Sequence, residues 1–324
     1  MIRVVVFLFG CLSVGAAAIA QTQVWLDVDV AAGIPQRDVD DALAMIQAFH
    51  SPSLVMRGVS AVYGNAPLKD GLPIAREVIE KFGPEGMIVH AGASGPEELG
   101  ETNDAVEAMA AALRAGPMTI LALGPLTNVG SLLRLHADLE ERIESIVIVA
   151  ARRPGQRFTY PEANGRSFGD FNFENDPEAM QTILDTEITL VFVPWEVSSH
   201  VWITQEDLDW LEARGGSGAW IAEKTGSWIA LWKSAFGQEG FNPFDTLAVA
   251  WVTHPELIET MKVRAWIEEL PDDTAANDAE GIRNKPYLLV REDPGSTRSV
   301  TYAYRPKPEL KAMLLGRLAG GGGR

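Results

Sequence analysis

Apolar runs alternate along the chain with segments in which apolar residues recur every three or four positions. The runs have the length of buried strands, and the periodic segments have the length of amphipathic helices. The pattern predicts strands at residues 24–28, 54–62, 87–90, 118–123, 143–150 and 189–193. It predicts helices between them at residues 40–49, 72–82, 105–114, 126–135 and 177–184. Apolar strands separated by helices indicate an open doubly wound α/β fold, in which a mostly parallel sheet has helices on both faces.

The C-terminal half of the chain has a different pattern. Residues 204–253 are helical in pattern and rich in tryptophan, so we expect a helical elaboration on the sheet. No internal repeat or long low-complexity linker divides residues 21–324, which are therefore predicted to form a single domain. The closing Gly-rich stretch, 320–324, is expected to be disordered. In open α/β folds ligands bind beyond the carboxyl ends of the strands, so polar residues there are the candidates for function.

The first twenty residues have the features of an export signal. Arg3 precedes an apolar run, and Ala18 and Ala20 have the spacing that a signal peptidase accepts. We expect residues 1–20 to be removed and the mature chain to be periplasmic or secreted. A buried first strand or a membrane anchor is the alternative, although the run is short for a stable span. Cys11 is the only cysteine and lies in this segment, so the mature chain would contain no disulfide and no thiolate metal site.

The acidic balance of the chain restricts its partners. The formal net charge is −17, and removal of residues 1–20 takes away Arg3 and no acid, which makes it −18. This charge argues against nucleic-acid polymers and anionic membrane surfaces as partners. It is compatible with a small neutral ligand. With 47% hydrophobic and 22% charged residues, the chain has the composition of a folded globular protein.

Five aspartates lie between the start of the first predicted strand and the first turn of the helix that follows. They are Asp27, Asp29, Asp38, Asp40 and Asp41. Helix N-termini favour acidic residues, which explains one or two of them. Like charges at this density repel one another unless hydrogen-bond donors, water or a cation relieve them. Carboxylate oxygens without cysteine or clustered histidine suit Ca²⁺ or Mg²⁺ rather than zinc, so the cluster predicts a site for a hard divalent cation.

Six separate blocks of the sequence carry a resemblance to a known enzyme family. They are LDVD with DVDDALA at 26–44, YGN at 63–65, VHAG at 89–92, GPLTNVG at 124–130, NGRSFGDFNFENDPEA at 164–179 and FDTLAVA at 244–250. In this order and spacing, the chain resembles the inosine-uridine-preferring nucleoside hydrolase family from about residue 24 to residue 255. The resemblance implies hydrolysis of the N-glycosidic bond of ribonucleosides, or of a related N-ribosyl compound, to free base and ribose. It also implies a small-molecule nucleoside as substrate and, commonly, a homodimer or homotetramer.

The resemblance implies roles for particular residues. A bound Ca²⁺ would be held by Asp29, Asp41, Asp245 and the backbone carbonyl of Thr127. Ribose contacts are implied for Asp40, Asn65, Asn164, Asp170 and Asn172. Asp27 would lie behind the metal ligands and orient a ligand. Calcium takes six to eight oxygens, so three carboxylates and a carbonyl leave room for two ribose hydroxyls and a water. The implied mechanism is attack of a metal-bound water on the anomeric carbon, with Asp29 as the general base.

The chain departs from the family pattern at positions that concern the chemistry. The ten residues 30–39 replace a short Pro-Gly turn and are expected to form a loop. Ala151, Arg152 and Arg153 follow the fifth strand where family members usually carry Met-Gly-Gly. Phe244 occupies the position of a histidine that protonates the departing base in the better-known members. Activation of the leaving group must therefore come from elsewhere or be absent.

Aromatic residues are candidates for contact with the base. Some members of the family without this histidine stack the base between aromatic rings, so that solvent can protonate it. Trp228, Trp232, Phe236 and Phe244 are the candidate stacking residues, although a tryptophan pair four residues apart on a helix is also typical of core packing. His90 is a further candidate contact, with a structural histidine as the alternative.

These observations lead to one principal hypothesis and one main alternative, and a third hypothesis is hydrolysis of a glycosidic or ester bond unrelated to nucleosides by the same metal-bound water. The first is an exported, calcium-dependent ribonucleoside N-glycosidase that uses the aspartate cluster and the Asn-rich ribose blocks. The alternative is a catalytically inactive protein that binds ribose or nucleosides with calcium. It is motivated by Phe244 and by the missing Met-Gly-Gly. The sequence leaves the base preference open under the first two hypotheses.

Overall fold

The protein is described here by a computed structural model that covers residues 21–160, 167–274, 281, 283–296 and 299–320. Its strands are β1 (Thr22–Val28), β2 (Leu54–Ala61), β3 (Val89–Ala91), β4 (Met118–Ala122), β5 (Ile143–Ile148), β6 (Leu190–Phe192), β7 (Ile203–Thr204), β8 (Gly240–Phe241), β9 (Ile258–Pro271), β10 (Asn284–Glu292) and β11 (Val300–Pro306). All except β7 and β8 form one nine-stranded sheet, in the order β10-β9-β11-β6-β5-β4-β1-β2-β3. The short strands β7 and β8 pair with each other.

The helices within the described residues alternate with these strands. They are α1 (Asp40–Phe49), α2 (Leu68–Phe82), α3 (Asp104–Ala115), α4 (Thr127–Leu135), α5 (Phe171–Asn175), α6 (Pro177–Leu184), α7 (Trp195–Ser198), α8 (Gln205–Glu212), α9 (Gly216–Phe236), α10 (Phe244–Thr253) and α11 (Glu309–Leu318). Across the described ranges, none of these helices is both long enough and apolar enough to cross a membrane. The export-signal prediction and the tail residues 321–324 lie outside the described residues.

The sheet confirms the predicted α/β fold and adds an edge that the sequence pattern did not predict. Strands β1 to β6 and β11 are parallel to their neighbours within this group. Strands β9 and β10 form an antiparallel hairpin, which pairs with β11. The hairpin was not predicted because β9 is only partly buried and mixes charged with apolar residues, so it contains no apolar run. The predicted helical elaboration is present as α8, α9 and α10.

The parallel strands are apolar on both sides because helices cover both faces of the sheet. In β1, Val24, Leu26 and Val28 point into one core, which includes residues of α1, α10 and α11. Trp25, between them, points into the other core, which includes residues of α3, α4 and α6. All four side chains are at most 1% exposed. This burial on both faces explains why β1 appears in the sequence as a continuous apolar run.

The strand order places a crevice at the end of β1. The chain continues from β1 to β2 and β3 on one side, and then returns to β4 on the other side of β1. The connections that follow β1 and β4 therefore leave the sheet in opposite directions. Ligands in open α/β folds bind at such a point, beyond the carboxyl ends of the strands. Asp27 lies near the end of β1 and Asp29 directly follows it, so the fold places the acidic cluster in this crevice.

Candidate active site

The acidic cluster is assembled from the end of β1 and the first turns of two helices. Asp40 and Asp41 begin α1, and Asp245 is in the first turn of α10. The Asp245 N–H donates to Oδ2 of Asp40 (3.0 Å), and the Asp29 N–H donates to Oδ1 of Asp41 (2.9 Å). Carboxylate oxygens of Asp40, Asp41 and Asp245 lie within 4.8 Å of one another. The two helix N-termini thus hold acidic groups together at distances that suit ligands of one cation.

The carboxylates of the cluster are buried and destabilise one another's charge. Asp29, Asp40, Asp41 and Asp245 are between 1% and 3% exposed. Burial, followed by the Asp40 charge, raises the pKa of Asp41 to about 7. Burial and the neighbouring aspartate charges raise the pKa values of Asp29 and Asp245 well above the ordinary range. Oδ2 of Asp41 is buried without a hydrogen-bond partner among the described residues. At neutral pH the cluster therefore needs either protons or a cation.

Asn65 holds the side chain of Asp29. Its backbone N–H donates to Oδ2 of Asp29 (2.7 Å), and its side-chain amide donates to Oδ1 (3.3 Å). Gly64 makes this approach possible, because a Cβ atom at that position would lie 1.9 Å from Oδ2 of Asp29. The predicted residues Asp29 and Asn65 are therefore direct neighbours. Asp29 lies beside the group of three aspartates, with its carboxylate turned toward Asn65.

Asp27 and Thr127 lie behind the cluster. Asp27 is fully buried, and its Oδ1 accepts hydrogen bonds from the Ser60 hydroxyl and from the Asn128 amide (2.8 Å). Burial raises the pKa of Asp27 to about 7, against the effect of these two donors. Thr127 begins α4 and is also fully buried, and its hydroxyl donates to Oδ2 of Asp176 (2.5 Å). Neither side chain is among the described residues that line the cavity discussed next.

A cavity of about 330 Å³ opens beyond the carboxyl ends of the strands. Its polar side is lined by Asp38, Asp40, Asn65, Asp170, Asn172 and Asp245. Its aromatic side is lined by Phe158, Phe168, Phe171, Trp195, Trp228, Trp232, Phe236 and Phe244. The structure thus brings together four predicted ribose contacts and four predicted stacking residues around one space. Asn164, the fifth predicted ribose contact, lies outside the described residues.

Asp170 directly precedes α5 and Asn172 lies in its first turn, and both line the polar side. Oδ2 of Asp170 accepts from the backbone N–H of Ala151 (2.7 Å). Burial raises the pKa of Asp170 to about 7, while the Arg152 charge opposes the shift. The Asn172 amide donates to the carbonyls of Leu123 and Val149, the residues that directly follow β4 and β5. Asn172 therefore fixes the strand ends that border the cavity.

The aromatic side is a continuous set of ring contacts. Trp232 lies with its ring centroid 5.3 Å from Phe236 and 6.1 Å from both Trp228 and Phe244. Within the described lining there is no histidine. His90 instead stacks on Trp25 at 5.7 Å, away from this lining. The rings are tilted by 40–75° to one another, and the faces they turn to the cavity provide an apolar surface that suits a nucleobase.

Sequence reasoning missed part of this lining. Phe158, Phe168 and Trp195 complete the aromatic side, and the only signal for them in the sequence is a local density of aromatic residues in connecting segments. Gln36 and Arg37, from the predicted loop 30–39, also line the cavity. The loop is attached to α9 by a hydrogen bond from the Gln36 N–H to the Ser227 hydroxyl (3.3 Å). Residues 30–39 therefore form part of the cavity wall.

Comparison with known proteins identifies relatives of this site. The family model described as inosine-uridine preferring nucleoside hydrolase matches residues 24–285. A pyrimidine-specific ribonucleoside hydrolase, RihA, of Citrobacter koseri is 31% identical over 258 residues, which cover 70% of this chain and 80% of that protein. RihA of Escherichia coli O9:H4 is 30% identical over 261 residues, with the same coverage of both chains.

Solved structures show the same fold at lower sequence identity. A purine-preferring ribonucleoside hydrolase from Gardnerella vaginalis has a TM-score of 0.74 at 17% identity, covering 92% of this chain and 98% of that one. An inosine-guanosine nucleoside hydrolase has a TM-score of 0.68 at 20% identity, covering 93% of this chain and 98% of that one. All these named relatives are hydrolases, so the comparisons do not favour the binding-only alternative.

Proposed function

The chain belongs to the inosine-uridine preferring nucleoside hydrolase family and is an N-glycosidase of ribonucleosides, and we propose that it works with a calcium ion at the aspartate cluster and with Asp29 as general base. The observation that carries this proposal is the buried group of Asp40, Asp41 and Asp245 beside a cavity with one polar and one aromatic side. The polar side suits a ribose, and the aromatic side suits a base.

The residues present fit a hard divalent cation. Oδ2 of Asp41 is buried without a hydrogen-bond partner in the described part of the chain, and every nearby acidic ligand offers oxygen. We propose Asp29, Asp41, Asp245 and the carbonyl of Thr127 as the ligands. Asp40 has one oxygen bound to the Asp245 N–H, which leaves the other for the ion or a sugar hydroxyl. When bound, calcium would supply positive charge that aligns the sugar hydroxyls and makes a water more acidic.

The residues of the chain then act on the ribose and the attacking water. Asp40, Asn65, Asp170 and Asn172 line the polar side and are proposed to bind the sugar hydroxyls. Asn164 stays a prediction of the same role. Asp29 takes a proton from the attacking water. At the same time the water oxygen bonds to the anomeric carbon, and the bond between this carbon and the base nitrogen breaks. The surrounding carboxylates stabilise the positive charge that develops on the sugar ring.

The departing base is handled by the aromatic side of the cavity. Phe244 stands where a histidine acid would be, and the described lining contains no histidine. We propose that Trp228, Trp232 and Phe244 contact the base, which accepts its proton from solvent as it leaves. Phe158, Phe168 and Trp195 extend the same aromatic surface.

Ribose release from a panel of purine and pyrimidine ribonucleosides tests the proposal. The assay is run with added Ca²⁺, after EDTA treatment, and after Ca²⁺ is restored. We expect release with Ca²⁺, loss after EDTA, and recovery on addition of Ca²⁺. Equal rates in the presence of EDTA would contradict the metal proposal.

Removal of residues 1–20, export and assembly into a dimer or tetramer stay predictions. N-terminal sequencing of the secreted protein would check the first two, and sedimentation would check the third.

A further inference from the structure

The antiparallel hairpin β9–β10 contacts the cavity wall near its connecting end. Lys285 is the second residue of β10, and its Nζ lies 2.8 Å from Oε1 of Glu174 in α5. The side chains of Lys285 and Glu174 are 14% and 25% exposed. Asp272 and Asp273, which directly follow β9, each have Oδ1 3.4 Å from the same Nζ. The ion pairs therefore connect the hairpin to the short helix that follows Asp170.

Glu174 also holds the backbone of Asp170. Its Oε1, the atom that contacts Lys285, accepts the Asp170 N–H at 2.8 Å. Nη2 of Arg152 lies 3.6 Å from this oxygen. One carboxylate oxygen thus contacts two cationic side chains and one backbone N–H. Hydrogen bonds to a charged acceptor are stronger and shorter than neutral ones, so Glu174 fixes where Asp170 enters the cavity.

Strand β10 supports Asp170 from the other side as well. The Arg152 N–H donates to the Leu288 carbonyl (3.1 Å), and the Arg152 carbonyl accepts from Val290 (2.9 Å). Ala151, which precedes Arg152, has a φ of +84° and donates its N–H to Oδ2 of Asp170. A positive φ is unfavourable for alanine and persists only where the surroundings impose it. The pairing of Arg152 with β10 is such a constraint.

We propose that Glu174 and Lys285 are positioning residues for the sugar side of the cavity: the hairpin fixes Asp170 through them, in the orientation that binds ribose. This inference rests on the proposed function, because it takes Asp170 as a ribose contact. Glu174 and Lys285 are not among the described residues that line the cavity, so they act through Asp170 rather than on the ligand.

The positioning role can be separated from a purely electrostatic one. Lys285 and Glu174 carry opposite charges, so their removal would change the charge environment of Asp170 in opposite directions. Removal of either one, however, breaks the same connection to the hairpin. Positioning therefore predicts weaker sugar binding in both Lys285→Met and Glu174→Gln, whereas electrostatics alone predicts effects of opposite sign.

The test measures sugar binding and turnover in the same variants of the full chain. The probes are D-ribose and 1,4-dideoxy-1,4-imino-D-ribitol, a cationic ribose mimic, titrated calorimetrically with Ca²⁺ present, and KM and kcat are measured for a ribonucleoside. Lys311→Met is the matched control, since Lys311 forms a comparable ion pair with Asp207 (2.7 Å) outside the described cavity lining. Lys285→Arg keeps the charge and tests rescue.

We expect Lys285→Met and Glu174→Gln each to raise the probe Kd and the KM about tenfold, with kcat changed less than about threefold. The double variant should be no worse than either single one, because both break one connection. Lys311→Met should bind like the wild type, and Lys285→Arg should recover most of the affinity.

Unchanged Kd and KM in both variants, even with a lower melting temperature, would reduce the contact to a structural role and overturn the inference. Effects of opposite sign would overturn it in favour of electrostatics. If the wild type binds the probes but releases no ribose, the proposed function fails, and the inference is still decided by the Kd values. If the wild type binds neither probe, both fail.

Discussion

Replacement of Asp41 by asparagine should stabilise the metal-free protein at mildly alkaline pH, although Asp41 is proposed as a metal ligand. Burial raises the pKa of Asp41 from 3.8 to about 7. A carboxyl with a raised folded-state pKa contributes stability that is present below its unfolded pKa and is lost as the pH rises through 7. Above that pH, the ionised group opposes folding by about 4 kcal/mol, at 1.36 kcal/mol per pKa unit.

Asparagine removes this titration and keeps the local contacts. Its Oδ1 can still accept the Asp29 N–H, and its amide can donate to the Asp29 carboxylate. The assay is urea unfolding of wild type and Asp41→Asn in EDTA, at about pH 5 and about pH 8. We expect the variant to gain up to about 4 kcal/mol over the wild type at the higher pH, and much less at the lower pH.

Addition of calcium should narrow the difference between the variant and the wild type at the higher pH. A ligand present at about one hundred times its Kd stabilises the folded state by about 2.7 kcal/mol, and the variant should lose most of this gain. Asp138→Asn, at an exposed surface position, is the control and should show neither effect. The reasoning would be refuted if Asp41→Asn were less stable than the wild type in EDTA at both pH values by the same amount.

Four further substitutions test separate parts of the site. Asp29→Asn should reduce ribose release by about 10²–10⁴-fold, as expected for loss of a general base, without lowering the melting temperature; a rate within about tenfold of wild type would remove Asp29 from the mechanism. Trp232→Ala should reduce the free energy of unfolding by about 3–5 kcal/mol, because this ring is 2% exposed. Trp228 is more exposed, so Trp228→Ala should mainly raise KM. Urea unfolding and steady-state kinetics separate the two effects, and the reverse pattern would exchange the roles of the two residues. Burial raises the pKa of Asp170 to about 7, and the ionised form accepts hydrogen bonds from ribose, so KM should fall as the pH rises through 7. Asp170→Asn should abolish this pH dependence of KM. An unchanged pH profile in the variant would contradict the role of Asp170 as a ribose contact.

Much of the fold could be predicted from the sequence because its elements are locally determined. The apolar runs of β1 and β4 and the periodic segments of α1 and α6 follow directly from burial on both faces of a parallel sheet. The hairpin β9–β10 could not be predicted in this way. In β9, charged side chains interrupt the apolar pattern, and β10 offers an apolar run of only four residues, 287–290, with no helical segment before it.

The candidate site could be predicted where its residues follow strands or begin helices. Asp40, Asp41 and Asp245 lie together because the N-termini of α1 and α10 meet. The acidic residues at the start of each of these helices can be read directly from the sequence. The roles of Glu174 and Lys285 could not be predicted, because they depend on the contact between α5 and a hairpin more than a hundred residues later. Phe158 and Trp195 likewise reach the cavity only through the tertiary fold.

Product analysis in phosphate-free buffer tests the central claim most directly. The calcium-loaded protein is incubated with uridine and, separately, with inosine, and free base and ribose are quantified by chromatography. Hydrolysis by water predicts equal amounts of base and ribose without phosphate, with both products lost after EDTA and restored by Ca²⁺. Intact nucleosides after prolonged incubation with the calcium-loaded protein, or products formed equally well in EDTA, would contradict the account.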